Sequence, residues 1–375
     1  MAPCKTKCLS RLAEIAKSGS AEALPLFVSG AAPDRYIGVS PYKSVLESPD
    51  LTLGQMWRWT MRKAILVAVS VALLVSWTNC FGQGQPSEVP KHKFEITDCS
   101  VPYQANTVGA TYTVTQDLNF GGGSEDCIDV TASGITINLN GHFLSAVPCG
   151  CTGISISKGA NGVHIFGGSI GGRGPNYGIH DMGDAALIEN ITVGSQSTAG
   201  IFLDAVRGSV VNNVSVSSNF GRGGAIQLLD TDHCLVENSR ANHNGYPPCG
   251  EGEPCGGSVS AGIWVGNSGS QDLSKNNFVV GNEANDNIPF GIWVGGTGNV
   301  VTSNNVNGNN YGGEGGGWGI FAAATGFPGT VNNNLVINNS ALQNEVDDVY
   351  DSNAECGTDH WLLNSFKTRN EGCIH

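Results

Sequence analysis

The chain has 375 residues, 53 of them Gly and 12 Cys, with charged side chains at only 14% and a formal net charge of −13. A charged fraction this low excludes a disordered polyelectrolyte, and so much Gly without a collagen period belongs to a turn-rich repeat protein. From residue 83 onward 10 Lys and Arg face 27 Asp and Glu, a net charge of −17, which excludes a nucleic-acid partner and admits a polyanion only through a bridging cation.

Residues 1–55 have mixed composition and no repeat. The basic stretch Met56–Lys63 precedes an apolar run, Ala64–Val75, of signal-peptide length, so 56–82 is read as a signal peptide with Gly82 as a cleavage point. A signal peptide should open a chain, so translation is expected to begin at Met56 or Met61. The alternative is a signal anchor with a short cytosolic tail, the one route by which this chain would meet a membrane. Residues 83–98 are a polar linker. Residues 99–133 depart from the pattern that follows and are expected to cap its first coil, with Cys99 and Cys127 flanking the strand-like Tyr112-Thr113-Val114-Thr115.

From about 134 to 347 the chain repeats. Gly262-Ile263-Trp264-Val265 returns as Gly291-Ile292-Trp293-Val294 and Gly319-Ile320-Phe321-Ala322. The phrase can be followed back through Ala225-Ile226, Gly200-Ile201, Gly178-Ile179 and Gly153-Ile154, with starts 25, 22, 25, 37, 29 and 28 residues apart. A variable period in the twenties, rich in Gly, Asn and β-branched residues, predicts a β-solenoid. Each phrase is a short strand with alternating faces, and stacked strands pool their apolar sides into one core. Asn190, Asn213, Asn238, Asn277, Asn304 and Asn334 fall at roughly one phase and are read as a structural ladder between coils. Asn244–Ala261, with Cys249 and Cys255, and Asn309–Trp318 are insertions expected on one edge. Residues 348–375 form a C-terminal cap carrying Cys356 and Cys373.

Twelve Cys in a chain with an export signal, nine of them behind it, favour disulfides. Cys99–Cys127, Cys249–Cys255 and Cys356–Cys373 are the expected local pairs, Cys149 and Cys151 can close one loop, and Cys234 is read as a buried thiol.

The Gly-Ile-Trp-Val phrases, the Asn-x-Val phrases and Ile137-Asn138-Leu139-Asn140-Gly141-His142 resemble the secreted right-handed parallel β-helix superfamily. That superfamily includes pectate-lyase-like proteins, alginate C5-epimerases and lyases, and a periplasmic protein of nitrous-oxide reductase maturation. The resemblance covers about 99–375 and implies an all-β right-handed parallel β-helix. It does not fix function, because the fold hosts lyases, hydrolases, epimerases, adhesins and proteins without known activity. Cys356…Trp361…Asn364-Ser365-Phe366…Cys373 is similar to the ending of many bacterial β-helix proteins. Epimerases of this fold carry an Asp-Pro-His-Asp catalytic phrase; the nearest match here, Asp230-Thr231-Asp232-His233, lacks the Pro and has its His one place late.

Three groups could carry chemistry. Asp230, Asp232 and His233 form an acid–base phrase, yet they align with turn positions of other repeats. His180, Asp181 and Asp204 lie on or just past the first strand of adjacent coils, where a His between carboxylates makes a base and paired carboxylates would hold Ca²⁺ or act as a hydrolase pair. Glu345, Asp347, Asp348 and Asp351 form an acidic run compatible with Ca²⁺ or with a solvated turn. The position after each Gly-Ile is His180, Phe202, Gln227, Trp264, Trp293 and Phe321, with Tyr350 in the cap. An outward row of aromatics suits sugar rings, unless loops fold over it. Two functions follow. One is an exported polysaccharide-active enzyme, an epimerase or lyase on a uronate polymer. The other is a non-catalytic glycan-binding or structural β-helix at the cell surface or in the periplasm.

Overall fold

The computed structural model describes residues 92–121, 126–147, 149–172, 174–220, 223–245, 260–268, 274–310, 317–323 and 333–375. The upstream segment, the signal peptide, most of the expected linker and the Cys249–Cys255 pair lie outside these residues.

The described chain is a parallel β-solenoid, as the repeat dictates. The Gly-Ile phrases build one wall, a ten-stranded parallel sheet. It runs from Tyr103–Ala105 and Ile128–Val130 through Thr152–Ile156, Tyr177–Asp181, Ala199–Asp204, Gly224–Leu229, Ala261–Gly266, Phe290–Val294 and Trp318–Ala322 to Asp347–Asp351. The second apolar phrase of each repeat forms another wall, as in Val210–Asn212, Leu235–Glu237 and Val300–Thr302. Two long strands, His164–Gly172 and Leu187–Gly194, continue round the corner into a third wall with Ser215–Ser217 and Arg240–Asn242. The parallel pairing already begins at Lys93–Ile96, the end of the expected linker, which pairs with Thr111–Val114.

The register is the one the repeat requires. Ile154, Ile179, Ile201, Ile226, Ile263, Ile292 and Ile320 stack in one column and all are fully buried. Gly precedes Ile because the opposite wall is in contact there. A Cβ at Gly178 would stand 2.4 Å from Val193 Cγ1, and one at Gly200 would stand 2.3 Å from Val216 Cγ1. A larger residue at Gly178 or Gly200 would force the walls apart.

The asparagines form three buried ladders rather than one. In one, Asn277 donates from its backbone and side-chain amides to Asn299, Asn299 donates from its backbone amide to Asn334, and Asn334 donates to Asp359. A second runs Asn282, Asn304, Asn339, Asn364, and a third Asn219, Asn244, Asn287, Asn309, Asn344, Asp348. Two of the three end on a carboxylate, which accepts both donors of the last Asn and needs no donor of its own. Asn190, Asn213 and Asn238 belong to none of these. They turn an outer corner with φ of 55°, 50° and 51°, a left-handed conformation Asn adopts more readily than most residues. A single sequence phase therefore merged an outer corner with two inner ladders.

Disulfides join Cys99 to Cys127, Cys149 to Cys151 and Cys356 to Cys373. Cys234 is a free, buried thiol, and burial pushes its pKa up to about 12. Such crosslinks fit an oxidising compartment.

Candidate functional site on the Gly-Ile sheet

On the outer face of the Gly-Ile sheet, one column reads Gln104, Asp129, Ser155, His180, Phe202, Gln227, Trp264, Trp293, Phe321 and Tyr350 from coil to coil. Its N-terminal part is polar and its C-terminal part aromatic. A second outward column stands beside it, two residues before each Ile. It carries Tyr177, Ala261, Phe290 and Trp318.

The chemistry-bearing groups meet where the polar part gives way to the aromatic. His180 Nε2 lies 3.5 Å from Asp204 Oδ2. At this distance the contact is an ion pair at the outer limit of a hydrogen bond, and no other group partners this buried nitrogen. The imidazole stacks on Phe202, with centroids 4.9 Å apart and planes within 11°, and Tyr177 lies 5.0 Å from it on the other column. Burial pushes the His180 pKa below its ordinary value, against the pull of the Asp204 carboxylate. Burial, and then the Asp204 charge, raise the Tyr177 phenol. Asp126, raised by burial and accepting the Thr152 amide at 2.7 Å, adds a further carboxyl close enough for His180 to feel. At neutral pH the site thus holds a neutral imidazole and a protonated phenol beside Asp204.

Asp181 does not join them. It follows His180 on the strand and points the other way, aligned with the buried Ile156 and Leu203. It is fully buried. Its carboxyl accepts the Gly183 amide and the Ser209 hydroxyl, each at 2.9 Å, and burial raises its pKa to about 7. The alternation of strand faces excludes it from any contact with a ligand on the outer face.

Asp230, Asp232 and His233 sit on the turn beyond the strand ends. Asp232 bridges Arg207 at 3.0 Å and contacts His233. Burial opposes its ionisation, but the Asn276 amide, His233 and Arg207 outweigh it and hold the carboxyl below its usual range. Asp230 accepts the Ser268 amide at 2.9 Å. No hydrogen bond or ion pair among the described residues links these three to His180 or Asp204. Their bonds join neighbouring coils at a turn.

The aromatic row is not the bare platform that one column of outward residues suggests. Phe202 and Trp293 are each 8% exposed, while Trp264, Phe321 and Tyr350 are half-buried. The second column explains much of this: Phe290 packs 4.7 Å from both Trp293 and Phe321, and Trp318 stacks on Phe290 at 4.9 Å. Sequence reasoning missed this column and with it Tyr177. The signal was available as a repeat position two before Ile, but Thr152, Ala199 and Gly224 dilute it.

Two members of the acidic run near the C-terminal cap, Asp348 and Asp351, are engaged in capping. Asp348 accepts the Asn344, Lys367 and Thr368 amides, and Asp351 accepts the Asn353 amide and the Trp361 indole. Among the described residues no group of three or more His, Cys, Asp or Glu side chains is placed to hold a metal ion.

In sequence, no family model and no curated protein matches the chain. In structure it is similar to the A-module of the Azotobacter vinelandii mannuronan C-5 epimerase AlgE6, with a TM-score of 0.54 and 14% identity over 75% of this chain and 87% of that one. It is also similar to the A-module of the A. vinelandii mannuronan C-5 epimerase AlgE4, at 0.50 and 12% over 73% and 86%. The likeness is one of fold, a right-handed parallel β-helix.

Proposed function

We propose that the protein is an exported polysaccharide-active β-helix enzyme that abstracts the C5 proton of a uronate unit, as a C5-epimerase or a lyase. The observation that carries this reading is the meeting of a neutral His180, a protonated Tyr177 and Asp204 on the outer face of one sheet. The likeness in fold to two mannuronan C-5 epimerase modules supports it, and the disulfides support export.

The chemistry follows from the groups. Asp204 beside Nε2 favours the imidazole proton on that nitrogen, leaving a lone pair on Nδ1. His180 takes the C5 proton, and the electron pair from the C–H bond moves into the carboxyl group of the sugar. Tyr177 then either protonates C5 from the other side, inverting it, or protonates O4 as the C4–O4 bond breaks. The first outcome is epimerisation and the second gives a 4,5-unsaturated end. The burial of Phe202 and Trp293 is the observation that favours the second reading, a non-catalytic glycan-binding or structural β-helix. Incubation with polymannuronate and polygalacturonate, with Ca²⁺ present to bridge the acidic polymer and the acidic protein and again with EDTA, decides between them. New absorbance from unsaturated ends or an altered C5 configuration by proton NMR supports the enzyme. Binding without either product supports the non-catalytic protein.

A further inference from the structure

Four Trp residues lie among the described residues, and two of them use their indole N–H as a structural side chain should. Trp361 donates to Asp351 at 2.8 Å and Trp293 to the Ala323 carbonyl at 3.0 Å. Trp264 and Trp318 do not. Their indole nitrogens are buried and have no hydrogen-bond partner. A buried donor without an acceptor forfeits its hydration and gains nothing in return, so it marks a place where a further group supplies the acceptor.

Both orphan donors belong to the aromatic cluster on the outer face of the Gly-Ile sheet. Trp264 stacks on Trp293 at 5.5 Å, and Trp318 packs against Phe290 and, at 5.3 Å, Phe321. Rings that present flat apolar faces, with N–H donors at their edges, complement a sugar, which has an apolar C–H face and oxygen acceptors around its rim. The cluster also shares its columns with the His180 site. Trp264 is three coils from His180 through Phe202 and Gln227. Trp318 is five coils from Tyr177 through Ala199, Gly224, Ala261 and Phe290. At about 4.8 Å per coil these are about 14 Å and about 24 Å along the solenoid axis.

We propose that Trp264 and Trp318 form a distal sugar subsite, their indole N–H groups donating to a unit of the same polymer whose reacting unit lies at His180. This rests on the polysaccharide reading above. The subsite selects for chain length: an oligomer too short to reach from His180 to the indoles loses their contribution.

The test is calorimetric titration of the full chain with oligomannuronates and oligogalacturonates of graded length. The wild-type protein should bind oligomers that span about 24 Å at least about tenfold more tightly than oligomers confined to the His180 coil. In the Trp264→Phe/Trp318→Phe variant an aromatic ring remains at each position and both donors are lost, and the long-over-short advantage should shrink by about tenfold, two hydrogen bonds at several-fold each. Equal binding of long and short oligomers by the wild-type protein overturns the subsite, whether or not the variant folds. So does an undiminished advantage in a folded variant. Binding of neither series at any length overturns the polysaccharide reading itself, a different outcome from loss of length dependence alone.

Discussion

His180 and Asp181 are consecutive residues with opposite environments. One places its imidazole on the outer face, 3.5 Å from Asp204 of the next coil, and the other is sealed inside beneath the same strand. The strand period of two separates them more completely than any distance along the chain. Substitutions at the two positions should therefore fail in different ways.

His180→Gln should lower turnover by roughly 10²–10⁴-fold, the range of a lost general base, with little change in melting temperature. Tyr177→Phe should do the same. Steady-state kinetics and thermal melts on one preparation check this, and a melt that collapses with activity would assign both residues to packing.

Activity should fall on the acid side as His180 becomes protonated. Burial holds its pKa below the ordinary His value, so the acid limb should lie below about pH 6.5. The Asp204 carboxylate opposes that shift, so Asp204→Asn should move the acid limb to still lower pH. The pH dependence of kcat/KM for the two proteins measures this.

Asp181 should make stability pH-dependent. Its pKa of about 7 in the folded protein exceeds the ordinary 3.8, so between these values the folded state holds a proton that the unfolded state has released. Stability should then fall as pH rises from about 4 to about 7. Asp181→Asn keeps an acceptor for Gly183 and cannot ionise, so melting temperatures of the wild type relative to this variant should decline across that window. Parallel melting curves would remove Asp181 as the source.

The inner ladders should be costly to break. Asn304 donates through its side chain to the Val279 carbonyl and to Asn339, each at 2.9 Å, and accepts from Asn282. Asn304→Ala strands buried groups on the two neighbouring coils and should destabilise by ~3 kcal/mol, at ~1–3 kcal/mol for each unsatisfied group. A corner residue such as Asn213 should cost far less, since its neighbours reach water. Chemical denaturation of the two variants compares them.

Much of the fold is legible in the chain because a solenoid writes each rung in the same words. The Gly-Ile phrase carries its own register, with Ile inward and Gly at the point of close wall contact. The site was legible only in part. His180 and Asp204 stand at repeat positions that the alignment brings together, and they do meet. Asp181 was misplaced because a His-Asp dipeptide suggests a pair, while a strand sends the two to opposite faces. Tyr177 and the burial of Trp293 depend on a second outward column, in which two of the adjacent coils carry only Ala199 and Gly224. The Asn ladders blurred into one because inner and corner asparagines lie within a residue of a common phase.

Proton abstraction at C5 by His180 is read most directly from deuterium at that carbon. Polymannuronate or polygalacturonate incubated with the protein in D₂O, then recovered and examined by NMR, should carry deuterium at C5 or C4–C5 unsaturated ends. The same incubation with His180→Gln should return the polymer unlabelled and intact. Polymer that binds the wild-type protein yet comes back with its C5 hydrogens and linkages unchanged would rule out proton abstraction by His180.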